Sequence, residues 1–174
     1  MRRTLSAVAT PTLPTRLDDV ARVASPRALV PASWVTAVLL RRRPGAARIA
    51  LGTSIAYLAS ELLKRAVSRR RPSWLDKNPR RSFPSGHSAV STAYLTGLAL
   101  VAPSGYRPFA LGAAILGAIC VDALRVGARE HWPGDVIAGD LVGVLGIATA
   151  HLAVRALREH DEARGTGMRE AGTA

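Results

Sequence analysis

Five apolar stretches, separated by arginine-rich or Pro/Gly-rich junctions, limit what this chain can fold into. They are residues 28–40, 49–63, 89–102, 109–124 and 136–154. None alternates apolar and polar residues with the period of two that marks a half-buried strand. A membrane-crossing helix needs ~20 apolar residues, and ~17 can suffice. Singly, several of the stretches are marginal, and the first is short and holds Pro31. Together they predict an all-α, polytopic membrane bundle of about five transmembrane segments. The apolar content supports this, because hydrophobic residues make up 48% of the chain and aromatics only 5%. What remains is mostly Ala, Leu and Val, which suit helices packed closely together. Gly97, Gly112, Gly117, Gly143 and Gly146 are expected to let those helices approach.

The chain is about one domain long at 174 residues. Residues 28–158 are expected to form the bundle. Before them, residues 1–27 read as a tail or as a short interfacial helix with Leu17, Val20, Ala21 and Ala24 on one face. The opening Met1-Arg2-Arg3 is followed by too short an apolar run, ended by Pro11, to be a signal peptide. Residues 159–174 carry mixed charge and read as a flexible tail. The single cysteine, Cys120, excludes an internal disulfide and a multi-cysteine metal site. A net charge of +12 points either to nucleic acid or to an anionic membrane or phosphate. The cations decide between these: they fall in short blocks between apolar stretches, such as Arg41-Arg42-Arg43 and Arg69-Arg70-Arg71. No nucleic-acid partner is expected.

Three polar clusters lie at the junctions. The first contains Lys64 and Arg71-Pro72. A spacing of seven puts Lys64 and Arg71 on one face if the helix continues, and Pro72 then stops it. Two such cations suit a phosphate dianion, Arg by a planar fork and Lys as a point charge. Alone, the cluster reads more readily as a basic anchor for lipid headgroups. The second is Pro84-Ser85-Gly86-His87-Ser88, a tight turn leading into an apolar stretch. A helix starting there offers free N–H groups to an anion, Ser85 offers a hydroxyl, and His87 can act as an acid near neutral pH. The third is Arg125, His131 and Asp135. Four residues apart at a helix start, the carboxylate can accept the Nδ1 proton of the histidine and free the other nitrogen to attack.

Lys64-x6-Arg71-Pro72, Pro84-Ser85-Gly86-His87 and Arg125-x5-His131-x3-Asp135 together resemble the motifs of the type 2 phosphatidic acid phosphatase family, PAP2. The resemblance covers about residues 46–155. One position departs from it: the third motif usually begins Ser-Arg, and this chain has Leu124-Arg125. The resemblance implies a helical bundle whose motif loops meet at one membrane face. It implies that His131 is a nucleophile forming a phosphohistidine, that Asp135 orients it, and that His87 protonates the leaving alcohol. Lys64, Arg71, Ser85, Gly86 and Arg125 would then bind the phosphate, with no metal and no cofactor. The implied substrate is a phosphomonoester or diphosphate of a lipid, either a polyprenyl or a glycerolipid one. A catalytically idle lipid-binding membrane protein is the alternative, and a vanadate-dependent haloperoxidase relative is a more distant one. Glu61, Asp122 and Asp140 are costly in apolar segments and are expected to pair with motif arginines. The implied location is a bacterial plasma membrane with the site facing outward. The positive-inside rule pulls the other way by a small margin, while the Arg41-Arg42-Arg43 block beside a short loop marks its own side as cytoplasmic.

Overall fold

The structure, a computed structural model, describes residues 22–72 and 80–171, with side chains through residue 160. Five α-helices are found among these residues: α1 (Pro26–Leu39), α2 (Ala47–Ala66), α3 (Gly86–Val101), α4 (Arg107–Gly127) and α5 (Pro133–Ala171). A 3-10 turn, Ser104–Tyr106, leads into α4. The expected tail or interfacial helix over residues 1–27 lies mostly outside the described residues.

Local sequence accounts for the helix limits. Pro26 stands at the start of α1, where a missing N–H costs nothing, and the helix then runs through Pro31. Gly45, at φ 87°, supplies the left-handed step that turns the chain from the Arg41-Arg42-Arg43 loop into α2. The helix α2 stops at Val67, which is extended at φ −111° and ψ 106°. Ser85 caps α3, its hydroxyl oxygen accepting from the Ser88 N–H at 3.3 Å. At the other end of the chain, the tail expected from residue 159 is instead a continuation of α5 to Ala171. Arg155 and Glu159, one turn apart with Nε to Oε1 at 2.7 Å, carry the helix across that boundary.

The helices α2, α3 and α5 pack mutually, α4 lies mainly on α3, and α1 lies on α2 and α3. Their contacts are built from small residues: Ala50, Ala56, Ala89, Ala93 and Ala150 are buried, and so are Thr53, Ser60, Ser88 and Ser91. A Cβ at Gly143 would stand 2.5 Å from the Ala89 carbonyl oxygen, so α5 crosses α3 backbone to backbone there. Gly139, which the sequence reading passed over, makes the same approach to the Ser85 carbonyl at 2.5 Å. Gly112 does the opposite of what was expected: a Cβ there would meet nothing within 4 Å, because it faces away from the bundle.

Large apolar side chains cover the outside, including Leu58, Leu62, Ile115, Ile119, Leu141 and Leu145. Small residues inside and large apolar ones outside suit lipid as the surrounding solvent. Two helical stretches, Ser104–Gly127 and Pro133–His160, are long and apolar enough to cross a membrane. The expected five-helix bundle is present, and α4 and α5 supply its spans of full length and hydropathy.

Carboxylates within the helices are partnered. Glu61 pairs with the motif lysine Lys64 at 2.8 Å and with Arg81, outside the motifs, at 2.9 Å, where a motif arginine was expected. Asp140 instead accepts from the Thr92 hydroxyl at 2.5 Å. Asp122 lies against Asp140 and Ser88, so neither aspartate pairs with a motif arginine.

Candidate active site

The C-terminal ends of α2 and α4 and the N-terminal ends of α3 and α5 meet at one end of the bundle. Lys64 arrives on the last turn of α2. Its Nζ would lie 2.7 Å from a Cβ placed at Gly86, so a side chain there would shift the ammonium from its seat against the start of α3. Arg71 arrives differently from the sequence expectation. The helix does not continue to carry it, because α2 ends at Ala66 and the chain runs on extended. Arg69 forms an isolated bridge with Arg81, and the Ser82 N–H donates to the Arg69 carbonyl at 3.1 Å. That pairing holds residues 69–71 against 81–82 and overrides the helical register. Arg71 nevertheless joins Lys64, lining a cavity of about 150 Å³ with Glu61 and Arg81.

Arg125 sits in the last turn of α4 and is 5% exposed. Its NH1 donates to Glu130 at 2.5 Å, while its Nε is buried without a hydrogen-bond partner. Beyond it, Arg129 takes a positive φ of 55°, which folds the chain back. The Glu130 and His131 N–H groups then both donate to the Arg125 carbonyl, at 3.1 and 3.3 Å. This turn places His131 beside the cations of the other helix ends.

His131 is 3% exposed, and its Nδ1 is 2.8 Å from the carbonyl oxygen of Ser82. A carbonyl can only accept, so Nδ1 carries the proton and Nε2 keeps its lone pair. Asp135 was expected to receive that proton. Its Oδ2 is 3.8 Å from Nδ1, beyond hydrogen-bond length, because the Ser82 carbonyl already occupies the position. Asp135 is instead a hub. It accepts from Arg69 NH1 at 2.8 Å, from the Trp132 N–H at 3.0 Å and from the Ser82 hydroxyl, and its own carbonyl accepts from the Ser85 N–H at 2.9 Å. The carboxylate therefore fixes the residues that hold His131 rather than the ring itself. Burial and the Arg71 guanidinium push the imidazole well below its usual range, to about 4, against the opposing effects of Ser82 and Asp135.

His87 lies in the first turn of α3, within electrostatic range of Arg125, His131, Lys64 and Arg71. It faces a larger cavity of about 710 Å³ together with Arg125, Glu130 and Tyr57. Ser85 is buried, and Ser88 Oγ donates to its hydroxyl oxygen at 2.9 Å, which leaves the Ser85 proton available. The sequence-derived residues thus gather at one end of the bundle. Sequence reasoning missed Ser82, Arg69, Glu61 as a partner of Arg81, and Glu130. Of these, Arg69 carried a signal, since it stands in a run of three arginines beside Arg71. Among the described residues, no group of three or more His, Cys, Asp or Glu side chains is placed to hold a metal.

A neutral imidazole held through one nitrogen, gathered with cations from the ends of α2 and α4 and from the extended segment after α2, has the chemistry to hold an anion the size of phosphate. The sequence matches the PAP2 superfamily over residues 45–159, and the chain belongs to that family. It is 37% identical over 94 residues to a lipid A 1-phosphatase of Rhizobium johnstonii, a match spanning 47% of this chain and 36% of that protein. A lipid A 1-phosphatase of Rhizobium etli is likewise 37% identical over 94 residues, with 38% of its length covered. The chain therefore matches little more than a third of the length of these curated relatives. The fold is similar to that of the crystal structure of Aquifex aeolicus LpxE, with a TM-score of 0.56 and 20% identity over 78% of this chain and 82% of that one.

Proposed function

We propose that this chain is a membrane phosphatase that removes phosphate from a lipid through a phosphohistidine on His131. The observation that carries the proposal is the bond from His131 Nδ1 to the Ser82 carbonyl, which leaves Nε2 unprotonated on a ring within electrostatic range of Lys64 and Arg71. In the first step Nε2 attacks phosphorus and the bond from phosphorus to the lipid oxygen breaks. His87 gives its proton to the departing oxygen; the bound phosphate dianion supplies the negative charge that favours the protonated ring. In the second step His87 takes a proton from water, the water oxygen bonds to phosphorus, and the P–N bond breaks to release inorganic phosphate. Lys64, Arg71 and Arg125 hold the phosphoryl oxygens, assisted by the Ser85 hydroxyl and the Gly86 N–H. Phosphoryl transfer demands mainly positioning and charge stabilisation, which side-chain cations can supply.

The names of the relatives support a lipid substrate, and the apolar outer surface supports access from a membrane. The reading places the chain in a bacterial plasma membrane with its site facing outward. Phosphate release by the purified, detergent-solubilised chain from a panel of polyprenyl and glycerolipid phosphates tests it. The account expects release from at least one of them and none by His131→Ala. Release by His131→Ala at the unsubstituted rate would overturn the mechanism.

A further inference from the structure

At the end of the bundle opposite His131, α1 and α5 both serve α2 as neighbours or near neighbours, yet they make no contact with each other. The gap between them is a cavity of about 400 Å³, the size of a small-molecule site. Trp34 and Val38 of α1 form one side, Val154 of α5 forms the other, and Ala47 and Ala50 at the start of α2 form the floor. The Trp34 ring is fixed in its wall, because Nε1 donates to Ser54 Oγ of α2 at 3.1 Å. From Pro133, at the site end of α5, the helix rises ~1.5 Å per residue, so Val154 lies roughly 30 Å away, a hydrocarbon thickness.

The outer end of this apolar slot is cationic. Arg41 and Arg43 line it from the loop after α1, and Arg158 lines it from one turn beyond Val154. Among the described residues none of these three arginines is in an ion pair, and Glu159, the neighbour of Arg158, is held by Arg155 at 2.7 Å. The helix α2 begins in the same wall with no acidic residue in its first turn and no side-chain cap, so its positive pole is uncompensated. Arg48 lies against Gly45 of that wall, and its Nε is buried without a hydrogen-bond partner. The chain thus gathers more positive charge here than it neutralises. A soluble anion would answer the charge and leave the slot unfilled. A neutral lipid would fill the slot and leave the charge unanswered.

We infer that this cavity binds one anionic phospholipid of the surrounding membrane. Its phosphate lies on Arg41, Arg43 and Arg158, and an acyl chain lies on the alanine floor between Trp34 and Val154. Arginines at a membrane boundary are drawn to anionic headgroups, and a basic pocket between helices makes that attraction specific. The bound lipid bridges α1 to α5, two helices that the protein itself leaves unjoined. The site is independent of the phosphatase reading, since none of its residues belongs to the catalytic end.

Native mass spectrometry of the full-length chain, released from micelles holding equal amounts of phosphatidylglycerol and phosphatidylcholine, tests the inference. One retained phosphatidylglycerol is expected, preferred over phosphatidylcholine by about 10-fold or more. Arg43→Gln is expected to lower that preference by about 5-fold, and Arg158→Gln likewise. Arg42→Gln removes a charge from the same loop but outside the cavity, and is expected to leave the preference unchanged. Ala47→Phe keeps every cation and fills the slot, and is expected to abolish retention. Equal retention of the two lipids overturns the inference. So does a preference that Arg42→Gln lowers as much as Arg43→Gln, which would mean general attraction to the loop. Displacement of the lipid by inorganic phosphate, with Ala47→Phe still retaining the phosphate, would show an ion site and overturn it as well. Circular dichroism of each variant confirms the helical fold, and phosphatidylglycerol is expected to raise the melting temperature of the unsubstituted chain more than that of Arg43→Gln.

Discussion

Asp135 stands four residues from His131, yet its carboxylate holds Arg69, Ser82 and Trp132 instead of the ring. Removing its charge strands a hub that is fully buried. Breaking a buried ion pair costs ~3–5 kcal/mol, and the partial exposure of Arg69 puts Asp135→Asn at the low end, about 3 kcal/mol. Unfolding in detergent, followed by circular dichroism, measures this. Ser82→Ala removes one donor to the carboxylate but keeps the carbonyl that holds His131, so about 1–3 kcal/mol is expected. A larger loss from Ser82→Ala than from Asp135→Asn would contradict the hub. The depressed imidazole carries a pH dependence. A folded-state value near 4 against an unfolded value near 6.5 means that only the unfolded chain takes up this proton between those pH values. The contribution of His131 is therefore fully present above about pH 6.5 and is lost as pH falls toward 4. Ring-nitrogen NMR of His131 should show a midpoint near 4, and a midpoint near 6.5 would contradict the burial account. His131 and Asp135 were legible from their spacing. Ser82 was not, because it reaches His131 from 49 residues away, and a serine before Phe83-Pro84 bears no mark of that contact.

At the scale of the helices, the crossing of α3 and α5 depends on backbone contact at Gly143. Gly143→Val would push its branched side chain against the Ala89 carbonyl, separating the helix starts that carry His87 and Asp135. A loss of roughly 1–3 kcal/mol or more is expected, as for overpacking, together with loss of activity. Gly112→Ala meets open space and is expected to raise stability by roughly 0.5–1 kcal/mol, since alanine is the better helix former. Parallel thermal melts of the two variants check the pair, and equal melting shifts would contradict the assignment of the packed face. The apolar runs located all five helices, because burial in a bundle and contact with lipid both select the same residues. They did not separate the packed glycines from the outward-facing ones. The face that a small residue presents is set by its neighbouring helix, and a single stretch of sequence does not contain that neighbour. The end of α2 was hidden for a similar reason, since the bridge from Arg69 to Arg81 joins residues twelve positions apart in the sequence.

For the molecule as a whole, bringing the helix ends together gives it one polar, cationic end and an apolar flank. The Arg41-Arg42-Arg43 loop joins the opposite ends of α1 and α2. An outward-facing site therefore puts that block in the cytoplasm, in keeping with the preference for positive loops there. Arg80→Cys, in a Cys120→Ala background, reports the orientation through a membrane-impermeant thiol reagent on intact cells. Labelling of intact cells is the expected result, and labelling only after the membrane is opened would reverse the assignment. The family and the reaction class could be read from three short motifs because the chemistry fixes their residues. Which groups hold His131, and how much room lies beyond His87, depend on how the loops fold back.

The covalent step is tested most directly by trapping it. Rapid acid quenching of the chain during turnover of a lipid substrate labelled with radioactive phosphorus should be followed by alkaline peptide mapping. The account expects label that is stable to base and labile to acid on the peptide containing His131, and none in His131→Ala. Label on another residue, or turnover by the unsubstituted chain with no protein-bound phosphate, would contradict it.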